Sequence, residues 1–217
     1  PGLNECKLCE PGKYVKKRGA QFCINCDKGK YQPLRGASTP CIECNIGKYS
    51  YGYPRVNCTT CYLGSYDIRI LPQHRNQTGC IPATSGRYAP AGGLKIIDCE
   101  RGTYTSKSGS SSCKKCPHGK HTSNQTMKRE CINTKKGYFT VDGIDEQPCL
   151  PTTYNNEIGQ SSCKQCEVGR YSTHFQSSNC SVARKGHYAI NGIEYICTRG
   201  KYSNKIKSSS CTFCEPG

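Results

Sequence analysis

One pattern, C-x-x-C-x-x-G-x-Y, runs through the whole chain, with roughly nine polar residues between copies. Copies read Cys6 to Cys9 with Gly12-Lys13-Tyr14, Cys23 to Cys26 with Gly29-Lys30-Tyr31, Cys41 to Cys44 with Gly47-Lys48-Tyr49, and Cys58 to Cys61 with Gly64-Ser65-Tyr66. Later copies begin at Cys113, Cys163 and Cys211. The second-cysteine position recurs at 9, 26, 44, 61, 83, 99, 116, 134, 149, 166, 183, 197 and 214, about every 17 residues. A unit this short cannot bury a core alone, so its stability has to come from its neighbours along the chain.

Composition points the same way. Leu, Ile, Val and Phe account for 31 of the 217 residues, and there is no tryptophan. That is about 14 %, under the roughly 20 % below which an ordinary apolar core is hard to build. Twenty cysteines, an even number, stand in for it. This is the profile of a disulfide scaffold in an oxidising compartment rather than of a cytosolic enzyme. No apolar run approaches the ~20 residues of a membrane span. The chain opens at Pro1 without a leader, as expected of a mature form or a fragment.

The wiring follows from where cysteines are missing. Ala83, Thr134 and Ala183 occupy second-cysteine positions, three residues after Cys80, Cys131 and Cys180. In each case the next module has lost its first cysteine instead, at Ile96, Glu146 and Glu194. Two positions that vanish together are positions that normally bond to each other. The predicted bridges are therefore Cys9–Cys23, Cys26–Cys41, Cys44–Cys58, Cys61–Cys80, Cys99–Cys113, Cys116–Cys131, Cys149–Cys163, Cys166–Cys180 and Cys197–Cys211. Cys6 and Cys214 remain, each expected to bond onward or between chains. The competing reading is structural zinc, with four thiolates per ion. The paired losses would leave only two thiolates, at three separate places, which argues against it. A thioredoxin-like redox role for C-x-x-C is disfavoured by seven copies in a polar repeat without a βαβ pattern.

Ten of the fifteen tyrosines occupy the G-x-Y position, with His121 and Phe139 in two further modules. In an extended segment residues two apart share a face. The glycine and the ring thus point one way and the middle residue the other, with the ring expected to pack on the disulfide and the next module. Thr152 replaces the glycine before Tyr154, which predicts a locally distorted module. The expected fold is a small disulfide-rich repeat: an elongated rod of β-hairpin and turn modules of about 17 residues, with little or no helix. Residues 1–60 read as regular, fully bridged repeats. Residues 61–217 carry one unbridged joint per three modules, around 83–96, 134–146 and 183–194.

Catalytic chemistry finds little support. The five histidines are scattered through turns, and no Ser/His/Asp order, paired-carboxylate motif or phosphate loop stands out. No enzyme activity and no cofactor are expected. Four N-x-[ST] sequons, at Asn57, Asn76, Asn124 and Asn179, mark glycosylation candidates. The formal charge is +16. Basic side chains fill the middle of G-x-Y at Lys13, Lys30, Lys48, Arg87, Lys120, Arg170 and Lys201, either as a solvated face or as a cationic ladder for acidic polysaccharide. An extracellular array argues against nucleic acid. A protein-binding patch would be apolar, and only Tyr51-Gly52-Tyr53-Pro54 and Ile68-Arg69-Ile70-Leu71 are candidates.

The pattern C-x-x-C-x-x-G-x-Y resembles the ephrin-receptor-like cysteine-rich repeat and is loosely similar to the modules of tumour-necrosis-factor receptors. The resemblance implies an extended, disulfide-laddered rod on an extracellular or cell-surface protein, and names no ligand. Two functions are consistent with it. One is a structural rod, filament or surface-coat subunit that self-associates or continues the array. The other is a receptor or adhesion ectodomain that binds a protein or an acidic glycan. If the unbridged joints set the bending of the array, limited proteolysis under non-reducing conditions cuts first within 83–96, 134–146 and 183–194. Uniform cutting would contradict this.

Overall fold

The computed structural model describes residues 7–74 and 79–216, so Cys6 and Asn76 lie outside the described residues. Local structure begins at a turn. After each second-cysteine position the residue following the glycine donates back across four residues: Lys13 N–H to the Glu10 carbonyl at 3.2 Å, Lys30 to Asp27 at 3.1 Å, and so on to Lys201 and Thr198 at 3.1 Å. The glycine is third in this turn, with φ +83° at Gly12 and Gly64. That is the left-handed value a type II turn requires at its third residue, and glycine adopts it without steric cost.

The turn launches a two-residue strand, which pairs antiparallel with the two residues between the cysteines of the next module. Lys13 faces Asn25 and Tyr14 faces Ile24, and the same register recurs down to Lys201 facing Phe213. Twelve such two-stranded hairpins are present among the described residues. The one long hairpin joins His187–Ile190 to Ile193–Ile196 through Asn191-Gly192. Among the described residues helix is confined to two single 3-10 turns, Ile68–Ile70 and Pro72–His74.

Every hairpin closes through its backbone, and nine of the twelve close a second time. The amide of the second-cysteine position donates to the carbonyl of the glycine one module back, as in Cys26 to Gly12 at 3.0 Å. The bond persists where the cysteine is absent: Ala83 to Gly64 at 2.9 Å, Thr134 to Gly119 at 3.0 Å and Ala183 to Gly169 at 3.0 Å. The second closure is covalent. Disulfides join Cys9–Cys23, Cys26–Cys41, Cys44–Cys58, Cys61–Cys80, Cys99–Cys113, Cys116–Cys131, Cys149–Cys163, Cys166–Cys180 and Cys197–Cys211. Their Cα atoms lie between 5.5 Å and 5.9 Å apart.

The module of Thr152 differs from expectation. Its register is normal, with Thr153 facing Gln165 and Tyr154 facing Lys164, and its turn bond is intact at 3.1 Å. The cost is held in one residue, since Thr152 takes φ +75°, a value disfavoured for a β-branched side chain. Its backbone is fixed from both sides, donating to the Ser172 carbonyl at 2.8 Å and accepting from Cys166 at 3.0 Å.

The core is not where the tyrosines are. Tyr66 is buried, whereas most G-x-Y rings stay half exposed. The buried column is the residue after the ring: Gln32, Ser50, Asp67, Ala89, Thr105, Thr122, Thr140, Asn155, Ser172 and Ala189. A second buried column is the second-cysteine position itself, including Ala83, Thr134 and Ala183. The two columns meet through backbone. The glycine amide of one module donates to the residue after the ring in the next, as in Gly12 to Gln32 at 2.7 Å and Gly86 to Thr105 at 2.8 Å. That residue in turn donates into the following loop, as in Ala89 to Ser110 at 3.0 Å and Asn155 to Ser177 at 3.0 Å. Hydroxyls reinforce the loop, with the Thr105 and Ser110 oxygens 2.6 Å apart and those of Ser172 and Ser177 likewise 2.6 Å apart.

The chain divides into two compact units, one of Pro1–Cys99 with Thr105–Cys113 and one of Glu100–Tyr104 with Lys114–Gly217. The first contains the one apolar cluster among the described residues, Tyr66, Ala83 and Ala89, with Ile70, Leu71, Ile81 and Ile96 packed on it. In the second, the backbone carbonyls of Gly159 and Gln176 occupy the space that a Cβ would need on Gly119 and Gly137. Gly64 meets the Gly109 carbonyl in the first unit in the same way, whereas a Cβ on Gly186 would meet nothing within 4 Å. The signature glycine therefore serves two needs that can be separated. Gly186→Ala should cost about 1–2 kcal/mol, the left-handed backbone penalty alone. Gly64→Ala should cost clearly more, roughly 3 kcal/mol or above, because a neighbouring backbone has to move as well. Thermal or denaturant unfolding of the oxidised variants checks this; equal costs would show that the close approach contributes nothing.

Candidate functional site

The described residues contain no cluster of three or more His, Cys, Asp or Glu able to hold a metal ion. The features that could act are the bridged and unbridged joints, the basic positions, the sequons and two surface grooves.

At the first joint the missing bridge is replaced by packing. Ala83 is fully buried and Ile96 lies against the cluster around Tyr66. The second and third joints use charge, and in the same way. Glu146 stands in a first-cysteine position and accepts from the Lys135 amide at 3.1 Å and from Lys135 Nζ at 2.7 Å. Glu194 accepts from the Arg184 amide at 3.0 Å and from Arg184 Nη2 at 3.1 Å. Lys135 and Arg184 each directly follow the residue that replaces the second cysteine, Thr134 and Ala183. A carboxylate thus clamps the backbone at the point where a disulfide would otherwise hold it. The buried His121 ring lies beside the second joint, accepting from the Ser123 amide at Nδ1, 3.1 Å away, with Nε2 3.5 Å from Glu146.

These carboxylates are tuned by their partners. Burial pushes Glu146 up, but the Lys135 side-chain and backbone hydrogen bonds outweigh it and hold the group below its ordinary value of 4.5. Glu194 is lowered in the same way: burial pushes it up, and the backbone and side-chain hydrogen bonds of Arg184 outweigh that. In the first unit Asp67, fully buried, accepts from the Gly47 amide at 2.9 Å and pairs with Arg69 at 2.6 Å. Arg69 then spans outward to the carbonyls of Cys44, Asn45 and Lys48 at 2.9–3.0 Å. Arg55 performs the equivalent task one module earlier, donating to the Cys26 carbonyl at 2.6 Å.

The basic G-x-Y positions sit on the first strand of each hairpin, and several are engaged locally. Lys30 pairs with Glu43 at 3.2 Å and Arg87 with Asp98 at 2.8 Å. Arg170 donates to the Cys180 carbonyl at 3.0 Å, and Lys201 lies 4.4 Å from the centre of the Phe213 ring. Lys13, Lys48 and Lys120 face Asn25, Thr60 and Asn133. The sequon asparagines Asn57, Asn124 and Asn179 are exposed. Asn124 accepts from Arg101 at Oδ1, 2.8 Å, which orients its amide. Cys214 is a free, exposed thiol.

The two apolar candidates separate. Ile70 and Leu71 pack on the Tyr66 cluster and are core. Tyr51 and Tyr53 are exposed, the Tyr53 ring 4.0 Å from the Arg55 guanidinium. Tyr53, Pro54, Val56 and Pro11 line an open groove of about 720 Å³ with Glu10, Lys13 and Asn25. A second groove of about 630 Å³, in the other unit, is bordered by Arg101, Lys115, His118, Thr140 and Ile144.

With this geometry in place, the comparison with known families is specific over one stretch. Residues 86–131 match the family model described as tyrosine-protein kinase ephrin type A/B receptor-like. The matched stretch spans two disulfides, Cys99–Cys113 and Cys116–Cys131, and the turns of Gly86, Gly102 and Gly119. The same turn, bridge and register recur on both sides of it, which is the layout of a tandem cysteine-rich array. No curated protein matches the chain. No helix of the described residues is long and apolar enough to cross a membrane. Sequence reasoning missed the column after the tyrosine and the two carboxylate clamps. Both left a signal: a small or hydrogen-bonding residue after nearly every ring, and glutamate at two of the three vacated first-cysteine positions.

Acid should act on the clamps selectively. A carboxyl held below its ordinary value stabilises the folded state above that value, and the stabilisation is lost as pH falls through the lowered one. Moving from pH 7 to about 3 should lower the amide-exchange protection factors, each taken against the intrinsic rate at its own pH, at 134–146 and 183–194. Bridged hairpins without a buried carboxylate, such as those of Cys99–Cys113 and Cys197–Cys211, should change far less. Asp67 is also held below its ordinary value and its amide donates to the Gly93 carbonyl at 2.9 Å, so the 83–96 joint is not the reference. Equal loosening of those bridged hairpins would show that the clamps are not what holds the second and third joints.

Proposed function

We propose that the chain is a structural spacer of an extracellular or cell-surface protein, an array whose modules serve as seats for one another. The feature that best supports this is the reuse of each module's turn backbone. In most modules the glycine amide, and in every hairpin the carbonyl of the glycine or of Thr152 in its place, is taken up by the next module, as in Gly86 to Thr105 at 2.8 Å and Cys99 to Gly86 at 2.9 Å. Little polar backbone is left to shape an enclosed site, and the grooves are open. Nine disulfides and the receptor-like match fit an oxidising, extracellular setting. On this reading the array is an extended rod, bends at 83–96, 134–146 and 183–194, continues or self-associates through Cys6 and Cys214, and carries N-glycans at Asn57, Asn76, Asn124 or Asn179.

The second reading is a receptor or adhesion ectodomain for an acidic glycan. The formal charge of +16 favours it, because a spacer needs solubility but no such imbalance.

Negative-stain microscopy of the oxidised protein separates the proposals. Extended particles, or fibres whose length falls after mild reduction, support the spacer. Compact particles with no end-to-end association would overturn it.

A further inference from the structure

We propose that a cationic patch around the Cys116–Cys131 disulfide is a binding surface for a sulfated or carboxylated polysaccharide. The proposal rests on the acidic-glycan reading and gives it a place. Between Arg101 and Arg129 the sequence holds seven Lys or Arg residues and no Asp or Glu. Six of the seven, Arg101, Lys114, Lys115, Lys120, Lys128 and Arg129, belong to one compact unit. Geometry gathers them. Lys114 and Lys115 immediately precede Cys116, and Lys128 and Arg129 lie three and two residues before Cys131. The two cysteines are bonded, with Cα atoms 5.8 Å apart. Lys114 and Lys115 face Tyr104 and Thr103 across the hairpin, which brings Arg101 within two residues of the pairing.

What distinguishes this patch is the number of cations between consecutive acidic residues, seven from Glu100 to Glu130, against four from Glu194 to Glu215 in the same unit. Elsewhere in the same unit Lys135, Lys164 and Arg184 each pair with a glutamate at 2.7–3.6 Å. Among the described residues none of the six patch cations has a carboxylate within 4.0 Å, and Arg101 donates to the neutral Asn124 amide instead. Acidic side chains do lie close: Glu130 beside Arg129, and Glu100 and Asp142 on the rim of the groove bordered by Arg101 and Lys115. Asp142 is already engaged, accepting from the Ile144 amide at 2.9 Å. Of the G-x-Y series, which shares Lys120 with the patch, Lys30 and Arg87 are ion-paired, Arg170 donates to the Cys180 carbonyl and Lys201 lies on the Phe213 ring, so the rest of that series is a poorer polyanion track. Uncompensated, exposed cations attract a polyanion through Coulomb interactions that salt screens, with a Debye length of about 8 Å at physiological ionic strength. The hydroxyl of Thr103, which donates to the Glu100 carbonyl at 2.8 Å and keeps its lone pairs free to accept, and the His118 ring share the groove with Arg101 and Lys115. Polar groups among cations suit a partner with hydroxyls between its charges, and so a polysaccharide rather than a lipid surface.

The test uses the intact, oxidised chain on immobilised heparin, with anionic phospholipid vesicles and single-stranded DNA in parallel. The proposal expects the wild type to bind heparin with salt-dependent affinity. The combined variant Lys114→Ala, Lys115→Ala, Lys128→Ala, Arg129→Ala should weaken binding on the order of a hundredfold at low salt. A matched variant, Lys13→Ala with Lys48→Ala and Lys201→Ala, should lose no more than a few fold. Unfolding midpoints of both variants should match the wild type, which excludes a folding defect. If the wild type fails to bind heparin, the acidic-glycan reading falls, and the patch proposal with it. If it binds but the G-x-Y variant loses as much as the patch variant, the patch proposal alone falls. Vesicles or DNA bound as tightly as heparin would likewise overturn the polysaccharide assignment.

Discussion

The amide of each second-cysteine position donates to the carbonyl of the glycine one module back, and the rest of the structure is arranged around that contact. The bond needs the turn, because only a left-handed third residue turns the glycine carbonyl toward the returning strand. It needs the hairpin register, because a slip of one residue would place a flanking residue there instead, Asn25 or Asp27 in the case of Cys26. It does not need sulfur. Ala83, Thr134 and Ala183 make it as well as their cysteine counterparts do, at 2.9–3.0 Å. Backbone geometry therefore defines the module, and the disulfide secures it.

This hierarchy explains how bridges can be missing without breaking the array. Three lost disulfides are covered by two different devices, apolar packing at Ile96 and carboxylate clamps at Glu146 and Glu194. The devices respond to different conditions. Packing weakens little with pH, a clamp releases in acid, and a disulfide yields to reductant. A chain built from all three can loosen at chosen links while the others stay shut.

Much of this was legible in the sequence because the period was visible. The glycine column, the tyrosine column and the small hairpins follow from residue spacing and turn chemistry, and the modules repeat as the spacing implies. The core was harder to read. Tyrosine is the largest recurring residue and looked like the packing element, yet its ring stays half exposed while the small residue after it is buried. Burial here is set by backbone meeting backbone, and side-chain size is a poor guide to that. Thr152 failed as a sign of distortion for a related reason. A turn held by three flanking hydrogen bonds imposes its φ on whatever residue is present. The clamps were hidden because glutamate in a polar loop is ordinary until its partner's position is known.

The way the bridges are drawn has a consequence for how such a chain changes length. Each disulfide ties the end of one module to the start of the next, as Cys26 ties to Cys41, so no module holds its own pair. Loop length is free, since Cys61–Cys80 spans 19 positions where the other bridges span 14 or 15, and the pairing is unchanged. Cysteine number is not free: gain or loss of a single cysteine strands its partner, whereas complete links, or paired losses such as Ala83 with Ile96, keep every remaining pairing in phase. The covalent pattern thus constrains how many cysteines the chain carries rather than how many residues lie between them.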